Sequence, residues 1–165
     1  MTPAITLEEL LAWNQEASNF WKAHLDANPA LLELPCGIGD TANVREFVLH
    51  IWGVELRWGQ RIAGLPMTNK EDMPNKGLDA LFELHVDAAG IFRRLLDDPA
   101  QNWDEVFTLD VPWLPASART PSRRKVLAHT LFHSQRHWAQ LATLVRAAGF
   151  PSGFKGDLLL SSALV

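Results

Sequence analysis

His129-Thr130-Leu131-Phe132-His133-Ser134-Gln135-Arg136-His137-Trp138-Ala139-Gln140-Leu141 places three histidines at four-residue intervals in a stretch free of Pro and Gly. On a helix such residues stand one turn apart on one face, about 6 Å from Cα to Cα. An adjacent pair can bring two imidazole nitrogens to within about 2.1 Å of one metal ion. The outer pair, His129 and His137, is separated by about 12 Å of helical rise, too far for all three to share an ion with ease. The chemical unit is therefore two neighbours plus a ligand from another helix. By helical projection, Val126, Thr130, Gln140 and Leu144 lie within about 60° of His133, so the histidines share a core-facing stripe.

Reading outward, this helix opens at Thr120-Pro121, an N-cap followed by Pro at the first helical position, and ends at Gly149 with Pro151 beyond. Three more helices precede it. The first opens on the capping-box pattern Thr6-Leu7-Glu8-Glu9 and runs to about Asn28. The second starts near Asn43, with Glu46 three residues on, and continues to Gly64; Phe47, Ile51, Val54, Trp58 and Ile62 form its apolar stripe. The third spans about Asn75 to Asp98, with Leu78, Leu81, Phe82, Phe92 and Leu95 inward. Four such helices without repeats predict an all-α fold, a four-helix bundle of antiparallel type, as one domain over residues 1–165. The connection 99–119 is long, and its Trp103, Phe107, Trp113 and Leu114 are expected to pack down over one end of the bundle.

The chain has 165 residues, a net charge of −4 and one cysteine, Cys36. This balance, with no basic helix face, argues against a nucleic-acid partner. No apolar run approaches the ~20 residues of a membrane span, and the acidic start after Met1-Thr2-Pro3 is unlike a signal peptide. A lone cysteine without an adjoining base is expected to be inert and suits a reducing, cytoplasmic setting.

The third ligand has two candidates on facing helices, His50 and His85, and spacing does not choose between them. Resemblance does. His133, His137 and Gln140 resemble the last-helix motif of the DinB/YfiT-like superfamily: a His, a second His four later, and a Gln three further on. His50, Glu55 and Trp58 resemble its second-helix signature, and Leu144-Val145-Arg146-Ala147-Ala148-Gly149 is similar to its tail. The likeness extends from about Trp21 to Gly149. It implies a four-helix bundle in which His50, His133 and His137 bind a divalent metal, often zinc or nickel. The chain departs from the usual pattern at Arg136, Trp138 and Ala139, where relatives often carry His, Arg and Gly; none of these is a ligand position.

Around that triad, Gln140, Glu55 and His129 are candidates to support the ligands by hydrogen bonding. For Gln140 the alternative is a bond to nearby backbone, and for Glu55 a plain salt bridge. His85 reads as a hydrogen-bonded core histidine. Arg57, within about 20° of His50 around its helix, and Arg123 and Arg124 are candidate anion contacts, the latter two being alternatively a solvated basic face.

Three neutral imidazoles leave an ion its full charge and an open position, as in catalytic sites. The resemblance implies either a thiol-dependent S-transferase or isomerase, a metal-dependent hydrolase, or a non-catalytic stress-response module. Zinc peptidases with paired histidines carry a Glu directly after the first as general base. Here that place is Ser134, which favours a low-molecular-weight thiol cofactor over hydrolysis. The expected partners are a small-molecule substrate and a second copy of the chain. A further apolar strip of the last helix, Leu127, Leu131, Trp138, Ala142 and Val145, is expected to pack either on the long loop or on a second copy, the twofold homodimer being favoured.

Overall fold

The computed structural model describes residues 5–74 and 77–164. Among them are four α-helices: α1 (Leu7–Ala27), α2 (Val44–Ile62), α3 (Leu78–Asp97) and α4 (Arg123–Ala147). Local chemistry sets their ends. Thr6 Oγ1 accepts from Glu9 N while the Glu9 carboxylate accepts from Thr6 N, so both halves of the capping box form. Asn43 caps α2 by accepting from Glu46 N at 2.9 Å. Helix α3 begins after Gly77, whose φ of 78° only glycine adopts without strain. Asn75, the start expected from the sequence, lies outside the described residues. Helix α4 starts later than the Thr120-Pro121 signal suggests. Its cap is Ser122, which accepts from Lys125 N, because the carbonyls of residues 119 and 121 are paired with the loop instead: Phe107 N donates to Pro121 O and Leu109 N to Arg119 O.

Side-chain contacts give the helix directions. Asn14 meets Glu55 and Ser18 meets Trp52, so α1 and α2 run oppositely across the centre of the bundle. Phe47 faces His137 while Trp58 faces His129, so α2 and α4 are antiparallel neighbours. Lys22 reaches Asp79 and Gln15 reaches Arg93, so α1 and α3 are too. The other two neighbour pairs are parallel. Trp13 meets Phe132 and Trp21 meets Trp138, which aligns α1 with α4. Trp52 meets Phe82 and Gly59 meets Phe92, which aligns α2 with α3. The bundle is thus not antiparallel throughout. After α2 the chain must travel back about 28 Å, the rise of a 19-residue helix, before α3 can start. That return segment lies against α2 at Gly53, where an added Cβ would stand 2.8 Å from Met73 Sδ.

Three tryptophans fill the middle. Trp21, Trp52 and Trp138 have no exposed surface; Trp21 stacks on Trp138 at 5.7 Å and Trp52 meets Trp138 edge-on at 5.6 Å. The α4 strip expected to face a second copy is part of this core. Leu127, Leu131, Trp138 and Val145 are 0% exposed and Ala142 is 5% exposed within one chain. The homodimer expectation therefore loses the surface that carried it.

The long connection does pack down, with one exception. Leu109 and Val111 are buried, and Trp103, Phe107 and Leu114 lie against the core. Trp113 is 73% exposed and instead borders a cavity beside α2. Arg119 holds this loop by donating to Leu114 O at 2.8 Å and Pro112 O at 3.0 Å. No helix among the described residues is long and apolar enough to cross a membrane.

A candidate metal centre between helices α2 and α4

The antiparallel crossing of α2 and α4 brings His50 against His133 and His137, with ring centroids 5.2 and 5.1 Å away. One nitrogen from each of the three rings falls within 4.8 Å of the others, and no carboxylate joins them among the described residues. Nε2 of His133 and Nε2 of His137 face each other at 3.0 Å. A tetrahedral ion with bonds of about 2.1 Å needs its ligand nitrogens about 3.4 Å apart, so small ring rotations suffice to close the set. Three imidazoles with borderline-soft nitrogen donors fit one divalent transition-metal ion.

Gln140 settles the proton on His137. Its Oε1 is 2.6 Å from His137 Nδ1. A carbonyl oxygen only accepts, so Nδ1 carries the hydrogen and Nε2 presents its lone pair to the other two rings. Gln140 thus bonds a ring of the triad rather than nearby backbone. Removing such an outer hydrogen bond costs roughly 10- to 100-fold in metal affinity, and Gln140→Ala should lose that much by competition with a chelating dye. An unchanged affinity would mean that ring orientation comes from packing alone.

The electrostatics keep the rings neutral. Burial, then the neighbouring His137 and His50, push His133 down to about 3. Burial also pushes His137 down to about 4, against the upward pull of its bond to Gln140. His50 is lowered by burial, Lys70 and Arg136. Arg136 stands where relatives often have His, and its Nη2 lies 3.2 Å from His137 Nε2. These shifts fix a sign for stability. Below the ordinary imidazole pKa of about 6.5 the unfolded chain takes up protons that the folded site refuses. The metal-free protein should therefore hold its full stability above about pH 6.5 and lose it progressively down to about pH 3. Denaturant melts across this range should show a shallower slope for His133→Ala than for the parent, and equal slopes would remove the linkage.

The remaining expected residues sort cleanly. His129 sits 6.0 Å from His133 by ring centroid, edge-on to Trp58, and is not part of the triad. His85 is on α3, diagonal to α4, and bonds to Glu55 instead. Among the described residues Glu55 makes no hydrogen bond to a ring of the triad. It is 1% exposed and accepts from Asn14 Nδ2 at 2.8 Å, Ser134 Oγ at 2.6 Å and His85 Nδ1 at 2.6 Å. Its carboxylate is a buried hydrogen-bonding node joining all four helices. Asn14 and Ser134 were not anticipated; a polar residue on each helix's apolar face was the available signal.

Arg123 and Arg124 are not anion contacts of the site. Arg123 Nε bonds Glu105 at 3.1 Å and its Nη1 donates to Ile62 O; Arg124 Nη2 bonds Asp104 at 2.6 Å. The acidic pair across from them, rather than a ligand, offsets the charge at the start of α4. Arg57 does line the cavity, about 920 Å³, onto which His50 and His137 open. Two further cations, Arg61 and Lys70, line it as well and were missed. Arg61 had a signal, since it follows Arg57 by one turn on the same face of α2. Cys36 is buried, with Thr41 Oγ1 3.5 Å from its sulfur.

No curated protein matches the chain. The family model for the DinB family matches residues 2–154, nearly the whole sequence, and the fold and the histidine triad agree with that match. The chain belongs to the DinB family.

Proposed function

We propose that this protein is a metal-dependent thiol S-transferase or isomerase, with zinc or nickel held by His50, His133 and His137. When bound, the ion supplies a Lewis-acid centre at which a small thiol is held as the thiolate. The chain's own contribution is to keep the three rings neutral and Nε2 of His137 deprotonated, through burial and the Gln140 bond. The cavity beside His50 has room for a small-molecule thiol and an electrophile.

The single observation that carries this reading is that, among the described residues, no carboxylate joins the three histidine nitrogens. Ser134, in the place of a peptidase glutamate, directs its hydroxyl to Glu55. Glu55 is in turn fully engaged and sealed from the cavity. Glu46, one turn before His50, has Oε2 accepting from Ala42 N at 2.8 Å. Water activation would have to draw on a carboxylate of the cavity wall, Asp40, Glu46, Glu71 or Asp110, none of which joins the three rings, whereas a thiol has a pKa low enough to be deprotonated by coordination alone.

The test is zinc- or nickel-loaded protein assayed with low-molecular-weight thiols against an electrophile panel, beside ester and amide substrates without thiol. Turnover is expected only with thiol and only with metal. Ester or amide hydrolysis at full rate in the absence of thiol would replace this reading with the hydrolase one.

A further inference from the structure

His50, Val54, Arg57 and Arg61 follow one another along α2 at intervals of four, three and four, and all line the cavity. The two arginines are unlike the chain's other paired cations. Lys22, Arg45, Arg123 and Arg124 each have a carboxylate within 4.0 Å, whereas Arg57 and Arg61 have none among the described residues. Arg57 Nε is buried without a hydrogen-bond partner. Arg61 lies over the Trp58 ring, 4.9 Å from its centroid, which fixes the plane of its guanidinium. Burial and the neighbouring Arg57 lower the Arg61 pKa, so the two cations are held close in poorly hydrated surroundings.

The carboxylates that line the same cavity do not cancel this charge. Asp40 and Glu46 stand at the opposite end, by the start of α2, and Glu46 is engaged with Ala42 N. Glu71 adjoins Lys70, which adds a further cation from the return segment. Asp110 reaches Arg61 only as a partial offset, without an ion-pair contact. The cavity is therefore polarised, with its cationic end toward the C-terminus of α2 and the histidine triad between.

We propose that Arg57 and Arg61 clamp a doubly negative oxyanion group, either a phosphate monoester or a pair of carboxylates, on a small-molecule ligand of this cavity. Guanidinium forks match such oxygens bidentately, and two forks one helical turn apart suit two negative charges. Arg57 stands about 10 Å from His50 along the helix, so one small molecule can reach the arginines and the triad together. The clamp deepens the thiol-transfer reading by giving the substrate or the thiol its charge, yet binding of the anion itself requires no metal.

The experiment titrates metal-free and zinc-loaded protein with inorganic phosphate, succinate and acetate at low ionic strength. Calorimetry and the fluorescence of Trp58 and Trp113, which line the cavity, report binding. Saturable one-to-one binding of phosphate or succinate is expected, at least tenfold tighter than acetate, and whichever binds identifies the anion. Arg57→Gln with Arg61→Gln should weaken it at least tenfold, while Arg124→Gln, whose partner is Asp104, should not. Arg57→Gln alone, which preserves the Arg61–Trp58 stack, should weaken it several-fold and serves if the double variant does not fold. The metal-free parent should bind the anion as the zinc-loaded one does, so failure of the metal site and failure of the clamp are distinguishable. The proposal is overturned if neither phosphate nor succinate saturates, or if a folded Arg57→Gln variant binds both as tightly as the parent.

Discussion

His133→Ala should lower the affinity for zinc or nickel by at least ~100-fold, beyond the loss expected for an outer hydrogen bond such as that of Gln140. His133 faces both other rings, with His137 Nε2 at 3.0 Å and the His50 ring at 5.2 Å. Its removal leaves two donors on different helices. His50→Ala and His137→Ala should behave alike. His129→Ala and His85→Ala should keep one ion per chain, even though the second of these loses a buried hydrogen bond and some stability. Metal content after dialysis, read beside circular dichroism to confirm folding, decides the matter. One equivalent of metal retained by folded His133→Ala would remove the triad as the binding site.

Glu55→Ala should be the most destabilising single substitution away from the tryptophan core. It strips the acceptor from Asn14, His85 and Ser134 at once, one residue on each of the other three helices. Leaving buried donors without an acceptor costs about 1–3 kcal/mol apiece, so losing three at once is a large share of a domain's total of about 5–15 kcal/mol. Equilibrium denaturation with unchanged slope but a lowered midpoint is the expected result. Glu55→Gln keeps an acceptor oxygen and should cost less. A loss below about 1 kcal/mol for Glu55→Ala would show that the three donors find other acceptors.

Much of the fold was readable because its signals are local. The Thr6/Glu9 box and the Asn43 cap form as the sequence predicts, and the stripe of α2 buries Phe47, Ile51, Trp58 and Ile62. Periodicity says which face is buried but not which helix lies against it. For that reason spacing left His50 and His85 equivalent, whereas in the structure only α2 crosses α4 at the paired histidines and α3 lies diagonal to them. The same limit applies to the strip Leu127–Val145, which is apolar because α4 is buried within its own chain. Arg123 and Arg124 were read against the helix dipole alone, while Asp104 and Glu105, near in sequence but across a bend, are what hold them. Ser122 displaced Thr120 as cap through pairing of the loop at Phe107 and Leu109, a contact no capping rule contains.

The return of the chain between α2 and α3 has a kinetic consequence. Side chains of α2 and α4 that meet in the core lie far apart along the chain, as with Glu55 and Ser134, 79 residues apart. Closing so long a loop comes late, after α2 and α3 have aligned through the intervening segment. Until the last helix docks, His50 has no partner rings, and an ion has nothing three-coordinate to hold. Metal should therefore leave the refolding rate nearly untouched and slow unfolding instead, since it adds an interaction that the folding barrier lacks. Resistance of the holo-protein to proteolysis would then measure how seldom α4 lets go.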